Sequence, residues 1–328
     1  MSALIQGVRA LPGMPSFTSL VTVVLLVTML LIGGSAYEGF LSLQVMLNLL
    51  IDNAFLLVIA IGMSFVILSG GIDLSVGAVL ALATMVSAWL LQVAHWPPVA
   101  VIATVLLGGS VFGGGMGAII HVFRLQPFIV TLAGMFLARG LCYLISIESI
   151  TIEDPLFVAM SQTQVPVLGG FLSPGAIIAL VMLALAVWLG HFSGFGRAVY
   201  AIGGNEQSAA MMGLSVGRTK ILVYAFSGFC AALAGVLFSF YMLSGYGLHA
   251  QGTELDAIAA VVIGGTLLTG GYGYILGSVV GVFVIAAMRL IITKDGTINP
   301  EYLTIITGGV LLVFVLLQRV LTRRRTDS

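Results

Sequence analysis

Long apolar runs separated by short polar breaks extend along almost the whole chain. The runs last roughly 18 to 27 residues, which suits α-helices that cross a hydrocarbon core about 30 Å thick, whereas membrane β-strands are shorter and alternate in polarity. The pattern therefore predicts an all-α integral membrane protein, a single transmembrane domain over residues 1–328 with about ten helices. The predicted spans are 17–34, 43–68, 74–94, 99–122, 128–146, 172–191, 221–244, 255–268, 275–292 and 303–321.

Composition supports the same class of protein. Hydrophobic residues make up 60% of the chain and charged residues only 7%, with a mean hydropathy of +1.19. Soluble domains carry roughly 25% charged residues, so a water-soluble globule is excluded. The 42 glycines fit close packing of membrane helices, because small residues let backbones approach. Cys142 and Cys230 lie within apolar runs, where we expect neither a disulfide nor a metal site.

The distribution of basic residues predicts the orientation. If the N-terminus is cytoplasmic, the same side receives Arg9, Arg124, Arg197, Arg218, Lys220, Arg319, Arg323, Arg324 and Arg325. Only Lys294 and Arg289 then fall outside, so the positive-inside rule is met. We predict that both termini are cytoplasmic, with a basic C-terminal tail at 319–328. The run at 17–34 is longer than a usual signal-peptide core and is expected to be retained, with cleavage after Gly34-Ser35-Ala36 as the alternative.

A polar stretch at 194–220 interrupts the apolar pattern and must lie in water. Within it Gly203-Gly204 predicts a turn, and Asn205 predicts a helix cap because its side chain accepts from free backbone N–H groups. Glu206 falls in the first turn, where the helix dipole favours an acid. Gly213 supplies a residue that adopts the left-handed conformation and stops the helix.

This helix has about two turns, too few to be stable alone in water, so we expect it to pack on something. Spacing of three and four places Ser208, Met211 and Met212 on one side, and flexible thioethers suit an irregular groove on a partner. An ordinary connecting loop is the alternative. The candidate residues are Gly203, Gly204, Asn205, Glu206, Gln207, Ser208, Met211, Met212 and Gly213.

Two glycine-rich segments, 69–73 and 264–273, also break the apolar pattern. Non-helical backbone at membrane depth is tolerated where protein or a water-filled cavity satisfies it, so the segments are candidates for the inner end of a pathway. Plain tight turns are the alternative. The candidate residues are Gly70, Gly71, Asp73, Gly264, Gly265, Gly270 and Gly271. For Asp73 we favour capping of the following helix over ion binding.

Two charges, Asp52 and Arg139, fall inside predicted spans. At about 1.5 Å per residue both lie roughly 14 Å below the outer surface, so we propose that they pair across the second and fifth predicted spans. Separate water-filled vestibules are the alternative. Asn53 beside Asp52 is a candidate for the polar lining of a pathway.

The sequence shows no motif for chemistry of its own. Neither lysine follows a glycine-rich phosphate-binding pattern, so we expect ATP hydrolysis, if the protein uses it, to come from a partner. The single histidines have no metal-ligand spacing, and no nucleophile with a base and an orienting acid is evident. We therefore predict that the chain is not an enzyme, binds no cofactor and holds no metal.

Four strings resemble one known family. They are VILSGGIDLSVGAVLAL at 66–82, IVTLAGMFLARG at 129–140, AIGGNEQSAAMMGLS at 201–215 and ELDAIAAVVIGGTLLTGGYG at 254–273. Together they resemble the permease subunits of ribose-type bacterial sugar ABC importers, most closely galactofuranose importer permeases. One departure is that the family commonly has Pro, Glu and Arg where this chain has Glu206, Gln207 and Ala210.

The resemblance implies a multi-pass protein of the bacterial inner membrane that imports a monosaccharide, galactofuranose or a related sugar. The segment at 194–220 would be the coupling loop for a separate ATPase subunit that binds ATP and magnesium. A second permease, identical or related, and a periplasmic sugar-binding protein would complete the importer. The alternative function is an ion-coupled secondary transporter of a small solute, which would need ionisable residues deep in the membrane.

Overall fold

The computed structural model describes residues 17–295 and 302–326, most of which are helical. The helices are α1 (Phe17–Ala36), α2 (Leu43–Asp52), α3 (Ala54–Leu68), α4 (Val76–Gln92), α5 (Pro98–Val122), α6 (Pro127–Ile145), α7 (Pro155–Gln162), α8 (Pro174–Phe192), α9 (Gly194–Gly204), α10 (Glu206–Met211), α11 (Val216–Met242), α12 (Thr253–Ile263), α13 (Ile275–Asp295) and α14 (Tyr302–Thr326). Arg9 lies outside the described residues, and of the basic tail at 319–328 the structure describes only the helical backbone of α14.

Each predicted span overlaps a helix, yet fewer helices are long and apolar enough to cross a membrane. Among the described residues, α5, α6, α8, α11 and α13 meet this condition singly. Helices α2 and α3 meet it together, although the chain bends by 57° between them. The protein is thus a multi-pass helical membrane protein with five or six candidate spans among the described residues, and the count of ten remains a prediction.

Helix α3 lies at the centre of the bundle. Its sequence is apolar on all sides, and all but one of its residues are buried. A helix that is apolar on all sides is buried in the interior, covered by other helices all around. It packs against α8, α11, α12 and α13, while α11 also packs along α4 and α5.

Glycines set the close approach of α5 to α11. Gly109, Gly113 and Gly117 recur every four residues and so line one side of α5. A Cβ at Gly113 would overlap the carbonyl oxygen of Tyr224, and one at Gly228 would overlap that of Gly109. The prediction that glycines pack helices closely is therefore confirmed for this pair.

The long connection at 147–171 is partly ordered by short strands. β1 (Ile150–Thr151) pairs antiparallel with β4 (Ser244–Gly245). β2 (Val165–Val167) and β3 (Gly170–Leu172) form a hairpin, with Val165 opposite Leu172. Its two turn residues, Leu168 and Gly169, both have positive φ, as the tight hairpin turn requires.

Several predicted boundaries are corrected. Helix α11 begins at Val216, so Arg218 and Lys220 lie on a helix and not in a loop. Helix α12 ends at Ile263, and its 11 residues are too few to cross the hydrocarbon core alone. The residues from 264 to 274 after it are non-helical. The span at 43–68 is broken at Asn53, whose φ of −115° and ψ of 15° interrupt the helix.

Candidate functional site

The short helix α10 has the caps that the sequence predicts. The Asn205 side chain accepts from the backbone N–H of Ser208 at 2.8 Å. At the other end Gly213 has a φ of +83°, and the N–H of Leu214 donates to the carbonyl oxygen of Ala209 at 3.1 Å. These contacts satisfy backbone groups that a helix of six residues leaves unpaired at its ends.

Helix α10 presents its methionines outward. Ala209 is fully buried, whereas Met211 and Met212 are 81% and 70% exposed. The Lys220 ammonium lies 2.7 Å from the Glu206 carboxylate and holds the start of α10 against α11. Ser208, predicted on the same side as the methionines, is only half-buried. The helix is therefore anchored by one face and has a flexible apolar pair free for a partner.

The predicted turn at Gly203-Gly204 is wrong, because both glycines end the helix α9. This helix begins after Ser193, whose hydroxyl accepts from the N–H of Gly196 at 3.1 Å. Val199 and Ile202 are buried, so one face of α9 packs on the bundle. Glycine favours turns, but here the amphipathic run before Gly203 extends the helix through both glycines.

Three glycine pairs meet beside α10, and we call this contact the glycine junction. It consists of Gly70-Gly71, Gly203-Gly204 and Gly270-Gly271. A Cβ at Gly203 would overlap the carbonyl oxygen of Leu68 and the amide of Gly271, and one at Gly270 would lie 2.7 Å from the amide of Gly70. No side chain separates the three backbones, so the predicted glycine segments contact each other and α9 directly.

The two glycine segments have related turns. Gly70 and Gly270 have φ of 82° and 84°, a conformation that glycine adopts without strain. The Tyr200 hydroxyl donates to the carbonyl oxygen of Gly273 at 2.9 Å and adds a second tie from α9. Burial, reinforced by Tyr274, raises the pKa of Tyr200 to about 12, so the phenol keeps its proton for this bond.

The remaining candidate glycines, Gly264 and Gly265, belong to the second glycine segment but lie outside the glycine junction. A Cβ at Gly264 would overlap the backbone of Gly277, which brings α12 close to α13. Gly265 has a φ of +96° and turns the chain out of α12. They shape the second glycine segment but do not contact α9 in the way that Gly270 does.

A cavity of about 890 Å³ opens between α10 and the connection from α5 to α6. Its lining mixes apolar and polar side chains, and the polar ones include His121, Arg124, Gln126, Glu206, Gln207 and Lys220. Gly70, Gly71, Gly203 and Gly204 line it too. A partner seated on α10 would therefore lie beside the glycine junction.

Asp73 is fully buried and joins two helices. One carboxylate oxygen accepts from the N–H of Ser75 at 2.9 Å and from its hydroxyl at 2.6 Å. The other accepts from the Ser227 hydroxyl at 2.7 Å, on α11. The carboxylate thus caps the chain that enters α4, as the sequence predicts, and also ties the first glycine segment to α11.

The structure does not bring Asp52 and Arg139 together. Asp52 accepts from the Tyr241 hydroxyl at 3.4 Å. Arg139 donates to the carbonyl oxygens of Gly247 and His249 at 2.5 and 2.8 Å. The proposed pair is wrong because Asp52 at the end of α2 bonds to α11, whereas Arg139 on α6 bonds to the 246–252 connection.

Asn53 occupies that break and is buried. Its side-chain nitrogen donates to the carbonyl oxygen of Leu49 at 2.9 Å. Its side-chain oxygen has no hydrogen-bond partner among the described residues. The position therefore bends the helix, and a role for Asn53 in lining a pathway remains a prediction.

Comparison with known proteins places the chain in a family. Residues 45–315 match the family model described as branched-chain amino acid transport system / permease component. The chain belongs to this family. It is 45% identical over 288 residues to the inner membrane ABC transporter permease protein YjfF of Escherichia coli, covering 87% of each chain. No solved structure gives a significant match.

Two further relatives carry the name of a sugar. The fructose import permease protein FruG of Bifidobacterium longum is 41% identical over 308 residues, which cover 92% of this chain and 90% of FruG. The ribose import permease protein RbsC of Bacillus subtilis is 38% identical over 277 residues, 83% and 84% of the two chains. The resemblance to ribose-type permeases is confirmed. The protein is a transport component of the cytoplasmic membrane, not an enzyme.

Sequence reasoning missed the junction as a contact. It identified each glycine pair but treated α9 as a loop and gave Tyr200 no role. One sequence signal for this contact was available. Gly-Gly follows a hydroxyl residue in both 69–71 and 269–271, and a third Gly-Gly pair occurs at 203–204. The Lys220–Glu206 pair was also missed, because the sequence places Lys220 in a loop.

Proposed function

We propose that this chain is the permease subunit of a binding-protein-dependent ABC importer that moves a monosaccharide into the cytoplasm. The relatives named for fructose and ribose import support a sugar as substrate. Family membership favours this role over an ion-coupled secondary transporter. Both termini and α10 are cytoplasmic in this proposal, with about ten membrane segments, one of which is α12 together with the non-helical residues after it.

The observation that carries the proposal is the placement of α10. Met211 and Met212 are exposed on α10, and the N-terminal end of α10 lies beside Gly203 and Gly204. A separate ATPase subunit, which holds ATP and magnesium, seats these methionines in a groove. Movement of α10 then reaches both glycine segments through α9, because Gly203 contacts both without a side chain between them.

Further partners follow from this assignment. A second permease, identical or related, packs against this one in the lipid bilayer, and the pathway runs between them. A periplasmic sugar-binding protein delivers the substrate to the end opposite α10. Galactofuranose or a related sugar is the cargo we propose, on the sequence resemblance described above.

Purification of the intact importer tests these assignments together. The tagged permease is extracted from its native membrane in a mild detergent, and the co-purifying proteins are identified by mass spectrometry. We expect an ATPase and a permease partner in stoichiometric amounts, and a binding protein that releases a monosaccharide on denaturation. A permease that purifies without an ATPase, or with a binding protein that releases an amino acid, would overturn the proposal.

A further inference from the structure

A second pocket, of about 210 Å³, lies at the end of the bundle opposite α10. Four parts of the chain form its walls: the break between α2 and α3, the end of α7, the entry from β3 into α8, and the end of α11. We call it the outer pocket. It does not share any lining residue with the cavity beside α10.

The lining of the outer pocket combines aromatic rings with neutral polar groups. Phe55, Phe171, Phe240 and Tyr241 supply the rings, and Ser161 and Gln164 supply hydroxyl and amide groups. None of the described residues that line it carries a charge. A sugar ring has C–H faces that pack on aromatic rings and hydroxyls that exchange hydrogen bonds with such groups, so the lining suits a neutral polyol.

The size of the outer pocket limits the solute. Pockets for drug-sized ligands measure about 300 to 1,000 Å³, so a volume of about 210 Å³ suits a smaller molecule. A monosaccharide meets that limit, whereas a disaccharide exceeds it. The size and the lining therefore point to the same class of solute.

Contacts behind the lining hold its walls in place. Phe157 is fully buried, and its ring lies 4.8 Å from that of Phe240, which fixes α7 on α11. The Gln44 side chain accepts from the N–H of Phe171 at 2.9 Å and donates to the carbonyl oxygen of Phe171 at 3.3 Å. These contacts anchor α7 and β3 separately, so the pocket is preformed and does not need a ligand to assemble.

Asp52 stands at the rim of this pocket. Its carboxylate accepts from the hydroxyl of Tyr241, which lines the pocket and is 52% exposed. An ionised carboxylate accepts several hydrogen bonds at once, so it has capacity left for hydroxyl donors on a solute. The acid that sequence reasoning paired with Arg139 therefore has a different neighbour, one that adjoins a polyol-sized space.

We infer that the outer pocket is a monosaccharide site, where a sugar makes its first contact with the permease after release at the outer surface. The inference rests on the proposed function, because it takes the end opposite α10 as the side of sugar delivery. The aromatic rings hold the apolar faces of the sugar, Gln164 and Ser161 bind its hydroxyls, and Asp52 receives hydroxyls at the rim.

A matched pair of glutamines tests the site. Both side chains are exposed, but Gln164 lines the pocket, whereas Gln162, two residues earlier, does not. The complete importer with either Gln164→Trp or Gln162→Trp is reconstituted into proteoliposomes, and uptake of D-ribose, D-fructose and D-galactose is measured. Because the indole fills the pocket, we expect Gln164→Trp to lower uptake about tenfold or more, and Gln162→Trp to stay within about twofold of the unmodified importer.

Equal uptake by the two variants would overturn the outer pocket as a sugar site. An unmodified importer that carries none of the three sugars would instead count against the proposed function.

Thiol labelling gives a readout that does not depend on transport. Ser161→Cys and Leu168→Cys are introduced separately after Cys142 and Cys230 are replaced by alanine, and each is labelled from outside with an impermeant reagent. Leu168 is 87% exposed at the hairpin turn, outside the pocket. We expect at least one of the three sugars, added alone, to slow labelling at position 161 and not at 168. Unchanged rates at both positions with all three sugars would contradict the inference.

Discussion

The amide nitrogen of Gly271 donates a hydrogen bond to the carbonyl oxygen of Leu68 across 2.9 Å. This bond joins the end of α3 to the second glycine segment, and Gly203 of α9 packs directly over it. Backbone contact at this distance tolerates little independent movement of the three segments. A displacement of α9 therefore moves both glycine segments, which gives α10 a mechanical connection to the centre of the bundle.

The first prediction concerns Gly203 and its neighbour Gly204. Alanine at 203 places a Cβ against the Leu68 carbonyl oxygen, whereas the space around 204 is open within 4 Å. We expect Gly203→Ala to destabilise the protein by about 1–3 kcal/mol and to reduce transport. Gly204→Ala should be neutral or slightly stabilising, since alanine favours helix over glycine. Thermal unfolding in detergent and uptake measure both; equal behaviour of the two variants would disprove the tight contact.

The second prediction concerns the buried carboxylate of Asp73. Ser227→Ala removes one of its donors and should cost about 1 kcal/mol, while Asp73→Ala strands the donors of Ser75 and Ser227 and should cost about 1–3 kcal/mol. A matched change on the same helix is Ser239→Ala. That hydroxyl is buried without a partner among the described residues, so its loss should be neutral.

Thermal midpoints of the three variants and of the Asp73–Ser227 double variant check this account. Strictly additive effects at Asp73 and Ser227 would show that the two side chains do not interact.

The third prediction concerns Asp52 and Arg139, which have separate partners. Asp52→Asn and Arg139→Gln should each reduce transport, and Arg139→Gln should do more harm because it leaves the Gly247 and His249 carbonyl oxygens without their donor. Their effects should add within about 0.5 kcal/mol in the double variant, as for independent sites. Uptake and membrane abundance are the measurements. Recovery of function in the double variant would contradict this prediction and would support an ion pair between Asp52 and Arg139.

The fourth prediction concerns topology. Gln207 on α10 and Glu153 on the 147–171 connection are both exposed. After Cys142 and Cys230 are replaced by alanine, a cysteine at 153 should react with an impermeant thiol reagent in intact cells, and a cysteine at 207 only after the cells are opened. Reaction of both in intact cells would contradict the proposed orientation.

The helices and the caps of α10 could be predicted from the sequence because they depend on local patterns. Apolar length located the long helices, and Asn205 and Gly213 marked the ends of α10 by their own backbone preferences. The break at Asn53 was not predicted, because Asp52 and Asn53 are only two polar residues within an otherwise largely apolar run of spanning length at 43–68.

Relations between distant segments were harder to derive. The depth argument placed Asp52 and Arg139 at one level but contained no information on the direction in which each helix faces. The glycine junction depends on three backbones meeting, and a glycine gives the same sequence signal in a loop, a helix end and a close contact. Only the fold distinguishes these cases.

The most direct test of the account is ATP-driven uptake through α10. The complete importer is reconstituted with ATP enclosed on the side of α10, and uptake of D-ribose, D-fructose and D-galactose is compared for the unmodified permease, a Met211→Asp/Met212→Asp variant and a Met211→Leu/Met212→Leu control. We predict uptake that requires ATP and is unaffected by ionophores, lost in the aspartate variant and kept in the leucine control, because buried charge destroys an apolar contact. Uptake that proceeds without ATP, or that the aspartate variant retains, would contradict it.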